Sequence, residues 1–396
     1  MVKWINPHSF KAFFKSGSIG GIILIVCVFI SLIVANTSLG PGFEALLAQE
    51  IGGDIAGIQL RYPVLLWIND GLMAIFFLLV GLEIKRELVE GELSSFKKAS
   101  LPILAALGGV IAPAAIYFAL NKGTETAGGW GIPMATDIAF AIAVISMLGK
   151  RAPSSLKIFL SALAIVDDLM AILVIALFYS TDIHFMYLLY AAGIFIFLLI
   201  LNKLRVKNLA AYLVPGLFIW YFIHHSGVHA TIAGVLTAFA ISTTPDATES
   251  PLEKLEHILV NPVNFVIMPI FALANTNIAF EPGMLAGLGT VLGLGIITGL
   301  VIGKPLGITL FSWLAVKMGI AKMPGNASWM HIIGAGMLGG IGFTMSIFIA
   351  VLSFSEKQHV LSEAKFSILT ASIISGVLGY LWLSRLEKSP TTTSAD

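Results

Sequence analysis

Ser161-Ala162-Leu163-Ala164-Ile165-Val166-Asp167-Asp168-Leu169-Met170-Ala171-Ile172-Leu173 sets two adjacent carboxylates midway along an otherwise apolar run. The run from Ile158 to Tyr179 is long enough to cross a bilayer, which takes about 20 apolar residues. Ionisable groups at membrane depth are expensive, so they face protein or water rather than lipid and mark ion or proton sites. The competing reading is a structural pair satisfied by buried water. That choice fixes how the rest of the chain is read.

The 396 residues are 57% hydrophobic and only 11% charged, with a mean hydropathy of +0.94. These values exclude an ordinary soluble domain and describe an all-α polytopic membrane protein, expected as a single integral membrane domain over 1–396. The net charge of +1 gives no reason to expect nucleic acid. A single cysteine, Cys27, rules out an intrachain disulfide framework. Lys3, Lys11 and Lys15 precede an apolar run too long for a secretory signal, which is read as a retained first span.

Apolar runs centre near Ile25, Met73, Ala106, Ile138, Val166, Ala192, Leu217, Ala233, Val266, Gly299, Gly342 and Ser375, predicting about twelve transmembrane helices. Two are interrupted, near 131–148 by Gly131-Ile132-Pro133 and near 331–352 by Leu338-Gly339-Gly340-Ile341-Gly342. With the N-terminus inside, the inner loops hold eighteen of the 23 basic residues and the outer loops only Arg61, Lys122, Lys357 and Lys365. The positive-inside rule then puts both termini in the cytoplasm, with residues 1–17 leading and 387–396 forming a polar, flexible tail. Lys304 is the basic residue left over, and it lies within a span.

Besides Asp167, Asp168 and Lys304, the ionisable residues at membrane depth are Asp70 and Asp137. Successive helical positions diverge by about 100°, so Asp167 and Asp168 cannot face one point equally. One carboxylate is expected on the ion path and the other against a partner. Lys304 is the basic group at hand, and pairing offsets the desolvation of both charges. Asp137 follows Pro133 and Thr136 in a weakly helical patch. There it would balance the positive N-terminal ends of half-helices, while Lys304 balances the negative ends. Two interrupted spans, one in each half of the chain, point to an inverted-repeat secondary transporter with its site at the midplane.

Carboxylates suit hard cations such as Na⁺ or Li⁺, and no Cys or His cluster argues for a soft metal. A cation binds Asp167 and Asp168 only when they are deprotonated, so cation and proton compete, and competition at one alternating site gives exchange. Whether both carboxylates release protons, or one carboxylate and Lys304, stays open. Thr298 to Pro305 approaches a phosphate loop, but Thr298 replaces the first glycine and Pro305 the final Ser/Thr, so no nucleotide is expected. No nucleophile with a base and an orienting group stands out; the chain reads as no enzyme and needs no cofactor.

Glu83, Lys85, Arg86 and Glu87 end one helix, and Glu253, Lys254, Glu256 and His257 begin another. If the two ends meet, carboxylates and imidazole could titrate near neutrality and bias a gate. The alternative is a solvated, salt-bridged helix end. Residues 49–60 punctuate β-prone pieces with glycine and aspartate, as a small outer hairpin or a disordered loop does. His229 is expected to cap or pack.

Several stretches resemble the bacterial NhaA-type sodium/proton antiporters: Leu65 to Asp70, Phe76 to Leu88, Ala135 to Ala141, Ala164 to Leu169, Ser226 to Gly234, Gly303 to Gly307 and Gly339 to Phe348. The resemblance runs from Gly20 to Leu383 and implies a twelve-helix inner-membrane protein with two crossed, interrupted helices. It implies electrogenic extrusion of Na⁺ or Li⁺ in exchange for H⁺, serving pH and sodium homeostasis. By position, Asp168 would be the main cation and proton carboxylate, with Asp167 beside it and paired to Lys304 in one protonation state. Asp137 and Lys304 would compensate the half-helix dipoles, with Thr136 at the crossing. Glu83, Arg86, Glu87, Glu256 and His257 match positions tied to pH activation, and the 49–60 hairpin matches a homodimer contact. Glu253-Lys254 and the acidic Asp246 and Glu249 depart from the family pattern, which bears on the pH set point.

Overall fold

The computed structural model describes residues 7–55, 58–180, 183–243, 250–280 and 283–386. Asp246, Glu249 and the expected tail 387–396 lie outside these residues. In chain order, α1 (Pro7–Ala35) and α2 (Gly40–Ala48) lead into four short strands. These are β1 (Glu50–Ile51), β2 (Asp54–Ile55), β3 (Ile58–Gln59) and β4 (Tyr62–Pro63). Then come α3 (Val64–Val89), α4 (Phe96–Asn121), a 3₁₀ turn Ala127–Met134 and α5 (Ile138–Met147). α6 (Ser154–Phe178), α7 (Phe185–Lys203), α8 (Ala210–His224) and α9 (Ile232–Ala240) follow. The chain closes with α10 (Pro251–Asn275), α11 (Val291–Lys317), α12 (Trp329–Gly339), α13 (Phe343–Ser353) and α14 (Gln358–Arg385).

Among the described residues, eight helices are long and apolar enough to cross a membrane, or up to ten if α1–α2 and α12–α13 each count as one bent span. Eleven of the twelve apolar runs centre on a helix, and the one near Gly342 falls on the break between α12 and α13. Those near Leu217 and Ala233 form α8 and α9, of 15 and 9 residues, short of the roughly 20 that a straight crossing takes. Large apolar side chains stay exposed along α7 and α8, including Phe185, Leu189, Phe197, Val214 and Leu217. Helices that are apolar on their outer faces suit lipid, not water. The chain is a multi-pass, all-α membrane protein.

The chain divides into two compact units: unit 1 takes in Met1–Gly21, Ser95–Ala171 and Pro282–Asp396, and unit 2 takes in Ile22–Ser94 and Ile172–Glu281. In unit 1, α4 and α11 approach backbone to backbone. A Cβ added at Gly108 would collide with the Gly307 carbonyl and lie 2.6 Å from Phe311 Cγ, and one at Gly303 would lie 2.8 Å from Pro113 Cα. Small residues permit this approach where burial of apolar surface cannot drive helices together. Within α11 the turn Gly299–Gly303 is wide, so the Lys304 N–H reaches back five residues to the Gly299 carbonyl. Both expected interruptions are present. Residues 135–137 run extended between the 3₁₀ turn and α5, and α12 meets α13 at a 45° bend across residues 340–342.

In unit 2, α3 packs on α9 through Gly81, where a Cβ would lie 2.7 Å from Ala238 Cβ. α10 starts with a capping box: Glu253 N–H donates to Ser250 Oγ at 3.2 Å, and Ser250 N–H donates to Glu253 Oε2 at 3.0 Å. The segment expected at 49–60 forms paired strands rather than a structureless loop. β1 pairs antiparallel with β4 (Glu50 opposite Pro63), and β2 with β3 (Asp54 opposite Gln59). Gly52 turns the chain at φ 112°, a left-handed value that suits glycine. Residues 56–57 lie outside the described set.

Candidate functional site

α6 carries Asp167 and Asp168 at its middle, 1% and 2% exposed, and Thr136, Asp137 and Lys304 are buried to the same degree. At that burial each charge is satisfied by protein or is very costly. Lys304 Nζ lies 2.6 Å from Asp167 Oδ2 and also donates to the Met134 carbonyl, the last residue of the 3₁₀ turn. Thr136 Oγ1 lies 2.6 Å from the same Asp167 oxygen and 2.8 Å from the Gly339 carbonyl. The hydroxyl has one proton and two acceptors within reach. Asp167 Oδ1 makes no hydrogen bond. Asp168 lies about 100° further round α6 than the carboxylate of this pair.

The two interruptions are bonded to each other. The Asp137 N–H donates to the Ile341 carbonyl at 2.6 Å, joining one break to the other. The Asp137 carboxylate accepts from the first turns of two half-helices: Oδ1 from Phe140 N–H at 3.1 Å, and Oδ2 from Thr344 N–H at 3.1 Å and from the Thr344 hydroxyl. A helix start leaves free N–H groups and a partial positive charge, and one carboxylate here serves two starts. Ser346 Oγ donates to the Ile132 carbonyl at 2.8 Å, and Phe140 packs edge-on to Phe343 with ring centres 4.9 Å apart. The breaks thus form one bonded crossing beside the Asp167–Lys304 pair.

Thr344 and the carbonyls of Met134 and Gly339 were not anticipated from sequence. The signal for Thr344 is position: a hydroxyl residue two places after the Gly342 break stands where a new helix needs partners. The carbonyls carry no side-chain signal.

In unit 2 the ends of α3 and α10 meet. Arg86 Nη2 lies 3.3 Å from Glu87 Oε1, and Arg86 Nε lies 3.2 Å from Glu256 Oε2, an ion pair without hydrogen-bond alignment. Glu83 and Glu256 are 8% and 7% exposed, while the Arg86 side chain is 35% exposed. His257 points outward one position along and is an electrostatic neighbour of Glu256. Lys85 stands apart from these carboxylates, donating to the carbonyls of Phe239, at 2.8 Å, and Ile241, at the end of α9. His229 Nε2 donates to the Tyr179 carbonyl at 2.9 Å, a packing role, and burial pushes its imidazole below the usual range. Arg61 and Glu50 pair across the hairpin at 3.1 Å, both well exposed.

A family model described as Na⁺/H⁺ antiporter 1 matches residues 11–383. "Na(+)/H(+) antiporter NhaA 2" of Flavobacterium johnsoniae is 63% identical over 390 residues, covering 98% of this chain and 95% of that protein. "Na(+)/H(+) antiporter NhaA" of Dechloromonas aromatica is 50% identical over 384 residues, covering 96% and 97%. The Helicobacter pylori (strain HPAG1) protein of that name is 45% identical, covering 96% and 95%. With a match along nearly its whole length and these levels of identity, the chain belongs to the Na⁺/H⁺ antiporter 1 family.

Proposed function

We propose that the chain is an electrogenic exchanger of the bacterial inner membrane, extruding Na⁺ or Li⁺ against entering protons by alternating access at Asp167 and Asp168. The observation that carries this reading is the buried Asp167 carboxylate, shared by the Lys304 ammonium and the Thr136 hydroxyl beside two bonded helix breaks. Asp168 is the principal cation carboxylate. Asp167 is held by Lys304 in one protonation state and released to the cation in the other. Because a carboxylate cannot hold a proton and a cation together, loading one substrate expels the other. Each net charge that moves inward draws about 2.3 kcal/mol per 100 mV from the membrane potential.

Asp137 compensates the two helix starts it accepts from, and Lys304 compensates the carbonyl end at Met134. Fixing both ends with charge lets the breaks persist in a low-dielectric setting and keeps Thr136 at the crossing. Glu83, Arg86, Glu87, Glu256 and His257 bias the exchanger with pH by changing how many charges Arg86 balances. Two chains associate through the paired strands of 49–60, with both termini in the cytoplasm.

Exchange in proteoliposomes with an interior pH dye tests the activity. Adding Na⁺ to acid-loaded vesicles is expected to collapse the proton gradient in the parent and to leave it standing in Asp168→Asn. A parent without Na⁺-dependent collapse contradicts exchange, and an undiminished Asp168→Asn removes that carboxylate from the mechanism.

A further inference from the structure

A half-helix that begins inside the protein has to place its first N–H groups, and α13 begins at a residue with nothing to offer them. Gly342 occupies its cap position and has no side chain. Asp137 takes the Thr344 N–H. The Phe343 N–H goes to a different helix: it donates to Ser372 Oγ on α14 at 3.1 Å, and both residues are buried. A hydroxyl that accepts from a first-turn amide does the work of a cap, and here α14 supplies it.

Ser372 is singled out along its own helix. Ser367 and Ser375 are also buried on α14, and neither hydroxyl has a hydrogen-bond partner among the described residues. α14 is fixed against both halves of the broken span. Trp382 Nε1 donates to the Met330 carbonyl in the first turn of α12 at 2.9 Å, about 15 Å along α14 from Ser372. At the break itself, a Cβ added at Gly340 would collide with the Leu300 carbonyl of α11 and lie 2.7 Å from Ser375 Oγ. Residues 340–342 are therefore seated between α11 and α14, with little room to turn toward other partners.

An uncapped helix start carries partial positive charge, and the one negative charge of Asp137 already balances two starts. Without the Ser372 hydroxyl, the nearest committed acceptor for the Phe343 N–H is the carboxylate that holds the next amide, and two amides would share it. The start of α13 would then be less well balanced. That start is bonded through Ile341 to Asp137 and through Gly339 to Thr136, which reaches the Asp167 oxygen. A cation held there would meet a more positive field. We infer that Ser372 is a positioning residue for exchange: reaching from α14, it supplies the cap that Gly342 lacks and keeps the start of α13 and the Asp137 carboxylate in the arrangement that favours a cation at Asp167 and Asp168. This role presupposes the exchange proposed at those two carboxylates.

Initial exchange rates in proteoliposomes, measured against Na⁺ concentration, separate affinity from turnover. Ser372→Ala is expected to raise the apparent KM for Na⁺ by about two- to fivefold, the size of a charge interaction with a helix start, and to leave the maximal rate at the parent's level. Loss of folded protein would do the reverse, lowering the maximal rate at constant KM. Ser372→Thr keeps the acceptor and should return KM to the parent value. Ser367→Ala, which removes an unbonded hydroxyl from the same helix, should leave KM unchanged. Hydrogen exchange in detergent reads the cap without transport: the Phe343 amide should lose protection in Ser372→Ala and keep it in Ser372→Thr. A parent that exchanges no Na⁺ contradicts the proposed function and removes this role with it. A parent that exchanges, while Ser372→Ala keeps the parent's KM or leaves the Phe343 amide as protected as before, overturns the role of Ser372 alone, as does an equal rise in KM in Ser367→Ala.

Discussion

The crossing in unit 1 and the ionic cluster in unit 2 use the same side-chain chemistry under opposite conditions. At the crossing, Asp167, Asp137 and Lys304 are no more than 1% exposed, and each has neighbours that the backbone holds in place. In the cluster, Arg86 is 35% exposed and makes one ion pair that lacks hydrogen-bond alignment. A buried charge that loses its partner has no substitute, whereas Arg86, 35% exposed beside the buried Glu83 and Glu256, leaves room for solvent or a proton to stand in for part of what it supplies. On the proposed function, the crossing would discriminate between occupants and the cluster would respond gradually to its surroundings.

The largest expected contrast comes from removing one cation at each place. Lys304→Ala leaves Asp167 charged and buried, and should cost about 3–5 kcal/mol in thermal unfolding in detergent. Arg86→Ala should cost less, because the Arg86 side chain is 35% exposed although its partner Glu256 is buried, and the loss should shrink on acidification as protons replace the cation at the carboxylates. Equal losses at one pH would erase the distinction between the two regions.

Asp137→Ala should rank next. It takes an acceptor from two helix starts at once, so about 1–2 kcal/mol is expected for each start. Hydrogen exchange at Phe140 and Thr344 is the appropriate probe, and both amides should lose protection together. If only one did, the carboxylate would not be linking the two breaks.

The smallest effect concerns His229, whose imidazole is held below its usual range by burial. The neutral ring's contribution is complete above the unfolded value of about 6.5, and is lost as pH falls through the lower folded value. His229→Gln removes that dependence. The stability of the parent relative to this variant should therefore decline on acidification, as thermal melts across that window would reveal.

The charged half of the crossing was legible in the sequence because carboxylates and a lysine at membrane depth have few explanations. Asp167, Asp168 and Lys304 stand out against apolar neighbours, and Gly131-Ile132-Pro133 and Leu338 to Gly342 mark the breaks. Helical geometry shows that the two aspartates differ, but the family resemblance, not geometry, supplied which of them pairs with Lys304. The uncharged half was hidden. The carbonyls of Met134, Gly339 and Ile341 belong to residues chosen for backbone conformation, and only the crossing makes them partners. The wide turns Trp67–Leu72 and Gly299–Gly303 were hidden for a similar reason, since an extra residue per turn is set by packing against neighbours rather than by local composition. α2 went unread because its nine residues lie beyond the first apolar run and carry too few turns for a clear period.

The central claim is that a cation and protons compete for Asp167 and Asp168, and Li⁺ or Na⁺ binding to purified protein in weakly buffered detergent solution tests it most directly. The account predicts that binding releases protons and that the apparent affinity falls by about tenfold or more per pH unit on the acid side, one factor of ten for each proton displaced. Asp168→Asn should abolish both signals. Binding that releases no protons and keeps the same affinity across pH would contradict the account.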